Sequence, residues 1–201
     1  MHRLLILLGF LGFLSACGAE QVWAPDEAVA RARYTHPGPP AITLFTVISN
    51  STGEGGHSAL MVSGSQRVIF DPAGSWGHTY VPERNDVLFG ITPLREEFYI
   101  DYHARTTYHV VIQTVEVSPA VAERALALVQ AQGAAPKAFC ANSVSTVLGQ
   151  LPGFEHIRGT FFPKKIMDRF GQVPGVKTET VYDDDDDNNQ PLLRVQQNTA
   201  G

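Results

Sequence analysis

The sequence predicts an α+β fold, an antiparallel β-sheet packed against helices. Two observations carry this. Between Ala41 and Val117 the chain is built from short runs of β-branched and aromatic residues separated by glycine-bearing turns. After Ser118 it changes to helical periodicity with explicit start and stop residues. Of the 201 residues, 44% are hydrophobic and 9% aromatic, ordinary for a chain that builds one core.

The N-terminus reads as an export signal. His2 and Arg3 precede an apolar run from Leu4 to Leu14, and small residues follow. That run is too short to span a bilayer as a helix. Leu14-Ser15-Ala16-Cys17 reads as a lipobox, which makes residues 1–16 a signal peptide and Cys17 a lipidated first residue. A cysteine with several acyl chains anchors stably in a lipid bilayer, where one chain binds only marginally. The alternative is an ordinary cleaved signal that contains a cysteine. Gly18 rather than Asp after the cysteine points to the outer membrane.

Residues 17–40 read as anchor and tether, with a short helix near Asp26 to Arg33. The domain is then expected over 41–180. Ala41 to Ser49 reads as a strand. Asn50 to Gly56 is a loop, and Ser63-Gly64-Ser65-Gln66 joins His57–Val62 to Arg67–Asp71 as a β-hairpin. Pro72 to Asp86 is a turn-rich connection, and Val87–Ile91 and Tyr108–Val117 are further strands. Ser118 caps a helix that has Pro119 in its first turn and ends near Gln132, before Gly133 and Pro136. A second helix runs from Phe139 to Gln150 and a third from Pro163 to Phe170. Residues 181–201 read as an acidic, disordered tail.

The formal charge is −5, and Asp183 to Asp187 supply five negatives, so the remainder is near neutral. No basic stripe exists for nucleic acid. The contiguous aspartates lack the spaced ligands and glycine of a calcium loop. His78, His103 and His109 have no zinc-ligand spacing around them, so no metal is expected.

The two cysteines differ in fate. If Cys17 carries lipid, Cys140 is left unpaired in an oxidising compartment. Cys140 opens a helix and shares a face with Val144, Val147, Leu148 and Leu151, which turns the thiol toward the sheet. The helix N-terminus favours thiolate, the nucleophilic form. The bland alternative is a cysteine packed as a small hydrophobe.

A thiolate needs a base. His57 opens a strand after Gly53-Glu54-Gly55-Gly56, where Gly55 and Gly56 would let a substrate chain approach closely. If Val62 lies opposite Gln66, Asp71 falls opposite His57, and a register shift of two moves it to the diagonal on the same face. A carboxylate there can fix the imidazole tautomer. His78 follows the hairpin closely and is the alternative third residue.

Gly55-Gly56-His57-Ser58-Ala59-Leu60-Met61-Val62, Val68-Ile69-Phe70-Asp71-Pro72 and Phe139-Cys140-Ala141-Asn142-Ser143 together resemble a circularly permuted papain-like domain of the NlpC type. Relatives include lecithin:retinol acyltransferase-like proteins and bacterial envelope families. The resemblance covers about residues 41 to 170. It implies Cys140 as nucleophile, His57 as base and Asp71 as the orienting residue. Phe139 stands where many relatives carry Asn, and Asp71 where many carry a second histidine.

The implied chemistry is acyl transfer through a thioester, with the Cys140 N–H as one oxyanion donor and no cofactor. Expected substrates are amide bonds in peptidoglycan stem peptides or envelope peptides, with acyl esters or lipids open to the same mechanism. The rival from another class is a non-catalytic envelope lipoprotein that uses the fold as a binding or assembly module.

Overall fold

A computed structural model describes Ala19 and residues 21–199. Cys17 and the expected signal lie outside the described residues. The chain is α+β: seven antiparallel strands in the order β4-β5-β3-β2-β1-β6-β7, with helices on both faces. The strands are β1 (Ala41–Ser49), β2 (Gly55–Ser63), β3 (Arg67–Phe70), β4 (Glu83–Arg84), β5 (Val87–Phe89), β6 (Tyr108–Glu116) and β7 (Lys177–Val181). The helices are α1 (Asp26–Ala32), α2 (Pro93–His103), α3 (Pro119–Ala131), α4 (Cys140–Leu148), α5 (Pro163–Phe170) and α6 (Gln190–Gln197). No helix among the described residues is long and apolar enough to cross a membrane.

Alternation along the central strands sends side chains to two separate cores. Ile42, Leu44, Leu60, Val62, Val68 and Phe70 meet the apolar faces of α3, α4 and α5. Phe45, Val47, Ala59, Met61 and Ile69 meet Tyr99 and Tyr102 of α2, with Leu193 of α6 at the rim. Ser118 caps α3 by accepting from the Val121 N–H, as its sequence requires.

Helix α2 falls in a stretch where the sequence suggested no element. Thr92 caps it by accepting from the Arg95 N–H, and Pro93 occupies its first turn. Its buried face carries Arg95, Tyr99, Tyr102 and His103, a polar set that gives no apolar periodicity to read. Arg67 of β3 pairs with Glu96 at 2.8 Å, and Arg95 Nη1 donates to the Gly90 carbonyl at 2.6 Å. These contacts fasten α2 beneath the β2–β3 hairpin.

Two terminal readings need correction. The stretch expected as a tether is docked from residue 22 onward. Ala24 N–H donates to the Glu83 carbonyl and Asn85 N–H to the Val22 carbonyl. Arg84 lies over Trp23 and pairs with Asp26. The expected disordered tail likewise has structure: β7 runs through Val181, and α6 buries Leu193 and Gln196. Trp76 Nε1 donates to Gln196 Oε1 at 3.2 Å, and Gln196 Nε2 donates to Asp101 Oδ2 at 2.9 Å. Pro191, Leu192, Leu193 and Val195 supply an amphipathic turn that the adjacent aspartates mask in the sequence.

Candidate active site

Strand β2 begins with an irregularity. Val47 pairs with His57, but the next residue, Ile48, pairs with Gly55, so the ladder slips at Gly56. Such a bulge re-aims the side chain beside it. His57 follows at once, on the α2 side of the sheet with Ala59 and Met61. The hairpin register is Leu60 with Phe70 and Val62 with Val68, two residues from a direct His57–Asp71 pairing. Asp71 therefore reaches His57 from the diagonal. His57 Nε2 and Asp71 Oδ1 are 2.6 Å apart. With Nε2–H donated to the carboxylate, Nδ1 remains for the thiol.

Strand β3 ends at Phe70, opposite Leu60, so it lends no neighbour to the Gly55–Ala59 end of β2. The N-terminus of α4 fills this gap. Cys140 is 8% exposed and is the free cysteine of the described residues. Its thiol lies within electrostatic reach of the His57 ring and of the Ser58 and Ala141 backbone, the groups that bear on its ionisation. No side chain caps α4, whose N-cap residue is Phe139. The Ala141 N–H at this free helix end is among the groups that draw the Cys140 pKa down.

The electrostatics follow from burial and contact. Burial pushes the Cys140 thiol up. The hydrogen bond and charge of His57, with the Ser58 and Ala141 backbone, outweigh it and leave the thiol below its ordinary value. Burial pushes His57 down, but the charge and hydrogen bond of Asp71 and the contact with Cys140 raise it from 6.5 to about 10. Burial opposes ionisation of Asp71, yet His57, His103 and the Tyr99 hydroxyl hold it below the usual carboxylate range. All three shifts run toward the charged forms: thiolate, imidazolium and carboxylate.

Helix α2 supplies two residues to the site that sequence reasoning did not assign there. Tyr99 Oη donates to Asp71 Oδ1 at 2.8 Å. Burial and the Asp71 charge raise the phenol well above 10.0, so it remains a donor. His103 stacks parallel to His57, with ring centroids 5.8 Å apart. Its Nδ1 lies 2.7 Å from the Tyr99 carbonyl. Burial lowers it to about 4, with Asp71 opposing and His57 adding, so it is neutral beside the charged ring. The signal that could have found this helix is Thr92-Pro93, the same hydroxyl-proline start as Ser118-Pro119.

A second carboxylate ties the two halves of the site together. Asp86 Oδ2 accepts from the Ala135 N–H at 2.7 Å and the Ala73 N–H at 3.2 Å. Its carbonyl accepts from the Asp71 N–H at 2.8 Å. Asp86, Asn85, Ala73 and Ala138 all have positive φ. Strained backbone of this kind persists only where its surroundings hold it. Asp86 thus links the turn after Asp71 to the loop that leads into Cys140.

Other expected site residues separate. A Cβ on Gly55 would lie 2.6 Å from the Pro163 side chain, so this glycine serves the close packing of α5 rather than a substrate loop. Gly56 does line a cavity of about 350 Å³ beside His57 and His103. Gly74 lies against the Asp71 carboxylate, where a Cβ would overlap Oδ2. His78 accepts from the Tyr80 N–H and stacks near Trp76 and Phe98. None of its hydrogen bonds or ring contacts involves Cys140, His57 or Asp71, whereas Asp71 contacts His57 directly.

Two groups could hold a metal by proximity: His57, Asp71 and His103, and Asp101, Asp183 and Asp185. Linear spacing did not foretell either. In the first, His57 Nε2 and Asp71 Oδ1 are already joined at hydrogen-bond distance. Family models, curated proteins and solved structures were all compared with the chain, and none matches.

Proposed function

We propose that this protein is an envelope thiol hydrolase that cleaves an amide bond in a peptide, with the permuted papain-like arrangement that its motifs resemble. The carrying observation is the 2.6 Å His57–Asp71 pair, with the Cys140 thiol bearing on the same imidazole. Nucleophile, base and orienting carboxylate come from three separated segments, which chance packing rarely aligns in this order. Peptidoglycan stem peptides and other envelope peptides are the substrate class proposed, with Cys17 as the lipid anchor in the outer membrane.

In the mechanism, Cys140 thiolate attacks the carbonyl carbon and a C–S bond forms. The Cys140 backbone N–H, at the N-terminus of α4, is the proposed donor to the oxyanion. The C–N bond breaks as His57 Nδ1 gives its proton to the leaving amine. His57 then takes a proton from water, the hydroxide attacks the thioester, and C–S cleavage restores the thiolate. Asp71 holds Nε2–H throughout. An acyl ester would follow the same steps with an alcohol as leaving group.

The low exposure of Cys140 favours a second reading, a binding module that retains the thiol as a core residue. Iodoacetamide alkylation of Cys140 against pH separates the two. The hydrolase predicts a fast reaction near neutral pH, governed by a thiol titrating below its ordinary value of about 8.5, and at least tenfold slower in His57→Ala. A slow thiol indifferent to His57 sinks the hydrolase and leaves the binding module.

A further inference from the structure

The cavity beside His57 has one wall that the proposed mechanism does not use. Arg105 lies on the turn between α2 and β6, held by reciprocal backbone hydrogen bonds with Tyr108 of 2.8 and 2.9 Å. Its guanidinium rests over the Tyr108 ring, 5.1 Å from the centroid. It lines the same cavity as His57, Gly56 and His103. Its Nε is buried and has no hydrogen-bond partner. Among the described residues Arg105 makes no ion pair, whereas Arg67 and Arg84 have carboxylates and Arg95 has the Gly90 carbonyl.

A buried N–H donor without an acceptor is costly, and in a cavity the missing acceptor can come with the ligand. We propose that Arg105 is a specificity residue that binds a carboxylate of the peptide substrate, an assignment that rests on the Cys140–His57 reading of the neighbouring site. The planar guanidinium matches a carboxylate through two parallel N–H donors. Tyr102, Tyr108 and Val47 offer the surrounding surface a peptide needs. Asp185 and Asp186 border the adjoining cavity, which Arg105 also lines. Their charge discriminates against a multiply charged phosphate and leaves a single carboxylate as the fitting anion.

Amide chemical shifts of the purified protein, titrated with N-acetyl-alanyl-alanine and with its C-terminal amide, test this without requiring a reactive thiol. The carboxylate form is expected to perturb cavity residues such as Gly56 and Ser75 at a concentration at least tenfold lower than the amide. Arg105→Gln removes that preference and Arg105→Lys restores part of it, because a point charge replaces the fork. N-acetyl-glutamine amide and N-acetyl-glutamate amide repeat the comparison for a side-chain carboxylate. A preference in either pair supports the proposal and says which carboxylate is read. Equal binding within both pairs, no binding by any of the four, a preference that survives Arg105→Gln, or tighter binding of inorganic phosphate overturns it. Alkylation of Cys140 runs in parallel. An inert thiol with intact carboxylate discrimination removes the hydrolase and keeps the Arg105 site, and a reactive thiol without discrimination does the reverse.

Discussion

On the α4 side of the sheet, Leu60, Val62, Phe70, Val144 and Leu148 meet in a cluster of apolar side chains. On the α2 side, Arg67, Asp71, His78, Arg95 and His103 are all buried, beside Phe45, Met61 and Tyr99. The proposed active pair is assembled across this difference. Cys140 comes from the apolar side and is placed by packing. His57 comes from the polar side and is charged by its neighbours. One face sets where the sulfur is, and the other sets which proton the imidazole holds. The comparison makes a sharp demand: changes on the apolar face should cost stability and leave the pH profile alone, and changes on the polar face should move the profile.

Asp71→Asn is the most severe test. It keeps the shape and removes the charge that holds His57 near 10. We expect kcat/KM for amide hydrolysis to fall by about a hundredfold or more, since losing the orienting carboxylate of a triad costs up to about 10⁴. The alkaline limb of the rate profile should drop from near pH 10 toward the ordinary imidazole value of about 6.5. The sign for stability follows from the same shift. A His57 raised in the folded state stabilises fully below about pH 6.5 and loses that contribution as pH rises through about 10. Denaturation midpoints of the wild type should therefore decline across this window, and those of Asp71→Asn should not. An unchanged alkaline limb in the mutant would break the assignment of charge control to Asp71.

Leu148→Ala probes the opposite face. Leu148 is fully buried under the sheet. Truncation should cost about 2–5 kcal/mol of unfolding free energy, measured by urea denaturation. The apparent pKa of Cys140 alkylation should stay where it is in the folded mutant. A shifted pKa would mean that apolar packing also governs the charge state, and the division of labour between the faces would fail.

The same division explains what the sequence disclosed. Strand β1 and helix α5 were legible to their ends, and α3 nearly so, because β-branched and apolar runs and proline starts mark them. Cys140, His57 and Asp71 were legible as a set, and the diagonal register was one of the two geometries that alternation allows. The α2 contribution was hidden, because Tyr99 and His103 are buried by partners distant in sequence and not by hydrophobic rhythm. Asp86 was hidden for a related reason. Its role is to accept two backbone N–H groups from loops that no periodicity connects. The acidic run masks α6 in the sequence, and the docking of that helix depends on Gln196 meeting Trp76 and Asp101.

Asp86 allows a test at the seam between the faces. Asp86→Ala leaves the Ala73 and Ala135 N–H groups without their acceptor. The Cys140 loop should then sit less firmly against the Asp71 turn, with about a tenfold loss in kcat/KM at unchanged KM, the order expected when a supporting hydrogen bond of roughly 1–2 kcal/mol is lost. Asp86→Asn retains one acceptor oxygen and should recover most of the rate. Failure of the Asn variant to rescue would show that charge, and not backbone anchoring, is what the site takes from Asp86.

The finest test is Tyr99→Phe. The ring fills the same space against Phe45 and Trp76, so packing is preserved. Only the 2.8 Å hydrogen bond to Asp71 Oδ1 is removed. That bond lowers the Asp71 pKa, so its loss should move the acid limb of the rate profile upward. A depressed carboxylate pKa contributes stability above its unfolded value, and this contribution disappears as pH falls through the folded value. The mutant should therefore lose it at higher pH than the wild type does. At neutral pH the His57 contact still holds Asp71 ionised, and the rate should fall only severalfold, in line with one hydrogen bond to a charged group of about 1.5–3 kcal/mol, partly offset by the remaining donor. A shift confined to the acid limb, with the alkaline limb still near 10, would assign separate partners to the two ionisations: Tyr99 tuning the carboxylate and Asp71 tuning the imidazole. Movement of both limbs together would mean that the Tyr99–Asp71–His57 chain titrates as one unit, and the polar face would then have to be treated as a single coupled group.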